Sequence, residues 1–239
     1  ASSCGFRPFD PGIITYYYIS LTVFEKTVFI WIFAIVFLRR RSRVKIGRKY
    51  IWKKEKGADM GYFYFTRHGQ TVWNVENKIC GVTDIELTER GHQQAEELAE
   101  RIVREGIHID EIICSPLMRA ADTARHIAEI TGVPMRVEPR LKEQNFGKYE
   151  STPRNGEEFQ RAKTYFVNSY EGGESMIRFC QRIYNLLDDI RQEADGKVYL
   201  MVAHNGVARA VQSYFTDMTN EEFARFGIKN CELRKYEFD

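Results

Sequence analysis

The chain has 239 residues, 44% hydrophobic and 28% charged, which suits one large domain or one domain with an appendage. Its net charge of +2 conceals an asymmetry: residues 1–59 carry 12 Lys/Arg against 4 Asp/Glu, and residues 60–239 carry 23 against 29. A mildly acidic larger part argues against a nucleic-acid partner, and five scattered cysteines without a C-x-x-C pair argue against a disulfide framework or a zinc site. Reduced thiols of that kind suit the cytoplasm.

Residues 1–59 read as an apolar and basic segment outside the folded domain, and three readings stand open for them. The apolar run from Thr27 to Leu38 is 12 residues long, against ~20 for a helix that crosses a bilayer. Extended back to Ile13 the run is long enough, but Glu25 and Lys26 then sit near its centre at a cost of several kcal/mol unless they neutralise each other. Arg39-Arg40-Arg41-Ser42-Arg43 follows as a cytoplasmic flank would, so a membrane anchor with the domain in the cytoplasm is one reading. A cleaved signal peptide fits less well, because no small-residue cleavage site follows the run. The third reading starts translation at Met60, the first methionine, since codons for Glu55-Lys56-Gly57-Ala58-Asp59 accommodate a ribosome-binding sequence. In each case the domain is expected over 60–239.

From Met60 the chain alternates strands and helices. Tyr62-Phe63-Tyr64-Phe65 is a β-prone run expected to be buried on both faces, leading into Thr66-Arg67-His68-Gly69 at the strand's carboxyl end. Trp73 and Asn74 open a loop through Asp84. Thr88 caps a helix ending near Gly106, with Ala95, Leu98, Ala99, Ile102 and Val103 as its apolar stripe. Glu111–Cys114 is a short strand, and Ser115-Pro116 opens a helix with the proline in its first turn. Arg119 falls in that turn, where strand end and helix amino terminus both favour an anion.

Gly132-Val133-Pro134 stops that helix before a short edge strand, Met135–Val137. Residues 141–150 show no periodicity. A helix is expected over 157–168, a long amphipathic one over 175–193, and a central strand over 198–202 that delivers Ala203-His204-Asn205-Gly206. Helices over 207–215 and 221–226 and a strand over 231–238 complete an α/β domain: a three-layer α/β/α sandwich around a mostly parallel sheet.

The motifs R-H-G-Q-T-x-x-N, S-P-L-x-R-A-x-x-T-A and a late strand ending in His occur in that order, each at a strand end. Together they resemble the histidine phosphatase superfamily, which includes the cofactor-dependent phosphoglycerate mutases. The resemblance covers 60–239 and none of 1–59. It implies that His68 is the phosphorylated nucleophile, that Arg67, Arg119 and His204 form the phosphate pocket with Asn74 in support, and that Glu143 is the proton donor. Cys80-Gly81 matches a position lining the substrate pocket, and Glu150 or Glu174 stands as an alternative donor.

The chemistry runs in the same direction. An imidazole attacks phosphorus only with a free lone pair, so His68 must be neutral with its other nitrogen tied to a carbonyl. Two guanidiniums and a second imidazole suit a phosphoryl group in transfer. The leaving alkoxide needs a proton from a carboxylic acid, and the route calls for no metal or other cofactor.

Gln70 stands where many family members carry Glu, Tyr149-Glu150-Ser151 replaces aromatic-Glu-Gly, and Asn205 stands where glycine is common, a place a left-handed turn would let asparagine keep. His92, His108 and His126 lack ligand spacing and are expected at the surface. The short stretch between Glu143 and His204 lacks the long insertion and paired arginines of the mutases. That favours hydrolysis of a small phosphorylated metabolite over mutase-type transfer. A non-catalytic phosphate-binding module is the rival of another class. A cysteine phosphatase built on Cys114 has one residue too few before Arg119. Nothing specifies a homodimer, though the C-terminal strand and exposed helices could support one.

Overall fold

A computed structural model describes residues 42–46, 49–53, 61–193 and 196–238. The apolar run and the region before Met60 that bear on an anchor or a translation start lie largely outside these residues. The chain divides into two units, one through Gly57 and one from Ala58. In the first, β1 (Ser42–Ile46) pairs antiparallel with β2 (Lys49–Lys53). This hairpin was not among the expected elements. Arg43-Val44-Lys45-Ile46 alternates polar and apolar residues with period two, a strand signal that the basic composition masks.

In the second unit five strands take the order β5-β4-β6-β3-β7. They are β3 (Tyr62–Arg67), β4 (Glu111–Cys114), β5 (Met135–Val137), β6 (Tyr199–Ala203) and β7 (Leu233–Glu237). All neighbours run parallel except β7 on β3. Helices α2 (Glu89–Arg104) and α3 (Met118–Thr131) cover one face of the sheet, and α5 (Met176–Glu193) and α6 (Asn205–Phe215) the other. The architecture is the three-layer α/β/α sandwich with a mostly parallel sheet. Short helices α1 (Val72–Val75), α4 (Glu157–Ala162) and α7 (Asn220–Arg225) sit in the connections.

The core follows from alternation and stripe. On β6, the central strand, all five residues are buried. On β3, Phe63 and Phe65 are fully buried against α5 and α6, each contributing about 1.5–3 kcal/mol by burial. Tyr62 and Tyr64 point the other way and are only half-buried, so β3 is not enclosed on both faces. The reason is position: β3 lies beside the edge strand β7, whereas the packing of α2 and α3 centres on β4 and β6.

Other departures are local. Pro116 precedes α3 instead of occupying its first turn; Leu117 is the N-cap, and the Met118 N–H donates to Asp84 Oδ1 at 2.7 Å. Gly132 closes α3 at φ +73°, its N–H returning to Ala128 O. The helix expected over 157–168 ends at Ala162, where Thr164 and Tyr165 turn back with N–H bonds to Arg161 O and Ala162 O. Asn205 begins α6 with ordinary helical backbone and takes no left-handed turn; its Oδ1 accepts Ile228 N–H at 2.9 Å. His92 and His126 are not independent surface residues: their rings meet across α2 and α3, Nδ1 to Nε2, at 2.9 Å.

Candidate active site

Three parallel strands end at one place. His68 follows β3, Ser115 and Arg119 follow β4, and His204 follows β6, at the carboxyl edge where open α/β sheets hold ligands. The rings of His68 and His204 lie 5.2 Å apart. Both are buried, and so is Arg119, the largest fully buried side chain among the described residues.

The hydrogen bonds fix which atoms remain available. His68 Nδ1 lies 2.6 Å from Gly69 O, and a carbonyl can only accept, so Nδ1 carries the proton and Nε2 keeps its lone pair. Ser115 Oγ accepts Leu117 N–H and lies 2.7 Å from His204 Nε2. The hydroxyl can donate to Nε2 or accept from it, since Leu117 N–H takes only one of its two lone pairs. Arg119 gives Nη1 to Thr83 O (2.9 Å) and Nη2 to Gly81 O (2.7 Å), and Arg67 gives Nη1 to Ile228 O (3.0 Å). Among the described residues four buried polar side-chain atoms have no partner: Arg67 Nε, Arg119 Nε, His204 Nδ1 and Tyr170 Oη. The first three belong to residues beside His68: two guanidinium N–H donors and a ring nitrogen of the second imidazole. Buried donors without acceptors are rare in folded proteins, and two guanidinium N–H groups with a second imidazole beside His68 suit an oxyanion.

Charge in this cradle is one-sided. Burial, then Arg119 and Arg67, hold His68 well below the ordinary imidazole range; burial, Arg119 and then His68 do the same to His204. Arg67 is lowered to about 10, chiefly by burial and then by Arg154. A dianion would reverse each of these penalties.

The same shifts carry a stability prediction. A histidine depressed in the folded state binds its proton more readily when unfolded, so its contribution is complete above about pH 6.5 and lost as pH falls. Two such groups give a slope approaching about 2.7 kcal/mol per pH unit below about pH 5.5. Denaturant unfolding of the phosphate-free protein between pH 7.5 and 5 measures it, and an unchanged midpoint would contradict the burial of two neutral imidazoles.

Glu143, buried in the 141–150 segment, faces this centre from the other side. Its Oε1 accepts Gln144 N–H (2.9 Å) and its Oε2 accepts Gly206 N–H (2.8 Å). Gly206 is required here by space: a Cβ would lie 2.2 Å from Glu143 Oε1. The two alternative carboxylates are committed elsewhere. Glu150 receives the N–H groups of Gly81, Val82, Thr83 and Phe146 and the Thr83 hydroxyl, and Glu174 pairs with Arg182 at 2.8 Å.

The remaining expected residues have supporting places. Asn74 Oδ1 accepts Thr71 N–H and Asn230 Nδ2, and Asn230 also donates to His68 O at 2.7 Å. Gly81 presents its carbonyl to Arg119, and burial pushes the Cys80 thiol up to about 11, so it is a neutral wall of the cleft. Gln70 is held by Thr88, with Thr88 Oγ1 to Gln70 Oε1 at 3.1 Å. Sequence reasoning missed Ser115 and Asn230 as partners of the two histidines. It also missed Arg154, Lys163, Tyr170 and Arg209 in the cleft beyond Glu143. Ser115 lies inside the recognised S-P-L-x-R motif; the others carry no local signal.

Comparison with known proteins agrees with this geometry. Residues 63–239 match the family model of the histidine phosphatase superfamily (branch 1). A Yersinia pestis protein described as a probable phosphoglycerate mutase GpmB is 33% identical over 182 residues, 73% of this chain and 84% of its own length. Mycobacterial glucosyl-3-phosphoglycerate phosphatase Rv2419c superposes with a TM-score of 0.63 at 26% identity, over 73% of this chain and 89% of that one. A putative alpha-ribazole-5'-P phosphatase of Escherichia coli shares the fold, with a TM-score of 0.66 at 23% identity over 76% of this chain and 92% of that one. This chain belongs to the histidine phosphatase superfamily.

Proposed function

We propose that the chain is a phosphomonoester hydrolase acting on a small phosphorylated metabolite through a phosphohistidine on His68, with every step supplied by its own side chains. The observation that carries this is the locked tautomer: Nδ1–H on Gly69 O and a free Nε2 lone pair beside the unpartnered Nε–H groups of Arg67 and Arg119. His68 Nε2 attacks phosphorus as the bond to the leaving oxygen breaks. Arg67, Arg119 and His204 hold the equatorial oxygens, and Glu143 gives its proton to the departing alkoxide. Water then attacks the phosphohistidine, the Glu143 carboxylate takes its proton, and the P–N bond breaks to restore neutral His68. The free thiols of Cys80, Cys114, Cys180 and Cys231 support a cytoplasmic setting. Among the described residues no helix is long and apolar enough to cross a membrane.

The test is a phosphate-labelled monoester turned over with EDTA present and quenched in alkali. Label is expected on the peptide containing His68, stable to base and lost in acid. Acid-stable label elsewhere, or turnover unaffected by removing His68, would sink the reading. A mutase is the second reading, favoured by the description of the Yersinia relative. It would pass the label to a second hydroxyl compound instead of releasing it as inorganic phosphate.

Glu143→Gln separates the two halves of the cycle. An alkyl leaving group needs the proton, so turnover of alkyl phosphates should fall ~10²–10⁴-fold. An aryl leaving group departs unaided, so an aryl phosphate should give a burst of phenol and an accumulating phosphoenzyme. Equal losses on both substrates would remove Glu143 from the proton-transfer role.

A further inference from the structure

Arg119 is fully buried, and a loop aims it. Gly81 O accepts its Nη2 at 2.7 Å and Thr83 O its Nη1 at 2.9 Å, while Nε–H keeps no partner. A loop that turns its carbonyls to one side must satisfy its amides on the other. Those amides go to Glu150. Its Oε1 accepts Val82 N–H (3.2 Å) and Phe146 N–H (3.1 Å). Its Oε2 accepts Gly81 N–H (3.0 Å), Thr83 N–H (3.4 Å) and the Thr83 hydroxyl (2.7 Å).

One peptide group carries the connection. The Gly81 carbonyl and the Val82 N–H belong to the same planar unit, and its trans geometry points them in opposite directions. Arg119 holds one end and Glu150 the other, so the unit cannot turn without losing both bonds. Thr83 repeats the arrangement within one residue, with N–H and hydroxyl to Glu150 and carbonyl to Arg119. A negative acceptor on an N–H also polarises the carbonyl behind it, which strengthens that carbonyl's bond to a cation. Space enforces the fit, because a Cβ on Gly81 would collide with Glu150 Oε1 and Gln144 O. The two segments are joined beside this point, Ile79 N–H to Thr152 O at 2.8 Å and Ser151 N–H to Ile79 O at 2.9 Å. At the loop's far end Asp84 Oδ1 takes Met118 N–H at the start of α3.

We infer that Glu150 is a positioning residue for phosphoryl transfer. Through the 81–82 peptide and Thr83 it fixes the pose in which Arg119 turns its free Nε–H to the transferring group. The inference rests on the hydrolase reading. Glu150 itself moves no proton in that cycle, so its effect on turnover runs through Arg119.

The experiment is a double-mutant cycle on the full chain, read as kcat/KM for an alkyl and an aryl phosphate. Glu150→Gln sets an NH2 group against N–H donors in place of one oxygen. It should lower kcat/KM by about 10–100-fold, the scale of a small misplacement at the chemistry. Both substrates should lose the same factor, because Arg119 holds the phosphoryl group and not the leaving group. With Arg119→Met already present, the same substitution should cost less than about threefold. Thr83→Val removes one hydroxyl and keeps every backbone group. It should show the same pattern at about 2–10-fold, and it carries the cycle if Glu150→Gln does not fold.

Equal losses with and without Arg119 would make Glu150 a general support of the fold and overturn the inference. A larger loss on the alkyl phosphate, the mark of a proton donor, would overturn it too, as would no loss at all. If the unmodified chain turns over no phosphomonoester, the hydrolase reading fails on its own. Calorimetric titration with inorganic phosphate then decides the hold on Arg119: weaker binding in both variants upholds it, and unchanged binding overturns it.

Discussion

His68→Ala is expected to lower turnover of any phosphomonoester by about 10⁴-fold or more, the scale on which covalent catalysts fail without their nucleophile. The variant keeps the charged cradle, so it should still bind phosphate while forming no phosphoenzyme. It should also change the acid stability of the fold. His68 and His204 are both neutral and buried among guanidiniums, and each adds to the proton uptake that accompanies unfolding below about pH 6.5. Removing one should halve the slope, from about 2.7 to about 1.4 kcal/mol per pH unit. Steady-state assays and denaturant titrations at pH 7.5 and 5 report the two effects separately. Turnover within tenfold of the unmodified protein would end the phosphohistidine mechanism. An unchanged slope would show that His68 is not held neutral by its surroundings.

What the sequence made legible is the part of the site that strands deliver. A buried strand has one obligatory direction and one carboxyl end, so Arg67-His68 after β3 and His204 after β6 could be placed before any coordinates. Parallel pairing of β3, β6 and β4 then brings His68, His204 and Ser115 together by register alone. The helix α2 was legible from the Thr88 cap and its stripe; the structure holds the cap and buries Ala95, Leu98, Ala99 and Ile102, while Val103 at the helix end is exposed. Loops obey no such period. Glu150 read as a spare acid because its partners are 67 to 69 residues earlier in the chain, where it gathers the N–H groups of Gly81, Val82 and Thr83. The segment 151–174 turns on left-handed residues such as Ser151 at φ +66°, backbone that glycine adopts without strain. No propensity foretells such a path, and with it the placement of Arg154, Lys163 and Tyr170 stayed hidden.

That long-range loop is also what the second large effect depends on. Arg119→Met should cut kcat/KM by ~10³-fold, the loss of a charged donor aimed at the transferring group. Its effect on folding is a contest. The substitution strips donors from Gly81 O and Thr83 O, at about 1–3 kcal/mol for each carbonyl left unsatisfied. Against that, it removes a buried guanidinium with no carboxylate partner, itself costly to desolvate. The two largely cancel, so stability without ligand should move by no more than about 2 kcal/mol. Ligand response is where the variant should differ. An oxyanion that binds only the folded state raises its stability with concentration, and inorganic phosphate should do so for the unmodified protein but scarcely for the variant. Arg119→Lys should not restore the response, because one ammonium cannot hold two loop carbonyls and still face the anion. Thermal unfolding across a phosphate series measures this. A variant still stabilised by phosphate as the unmodified protein is would place the anion away from Arg119, and with it away from the junction of β4 and α3.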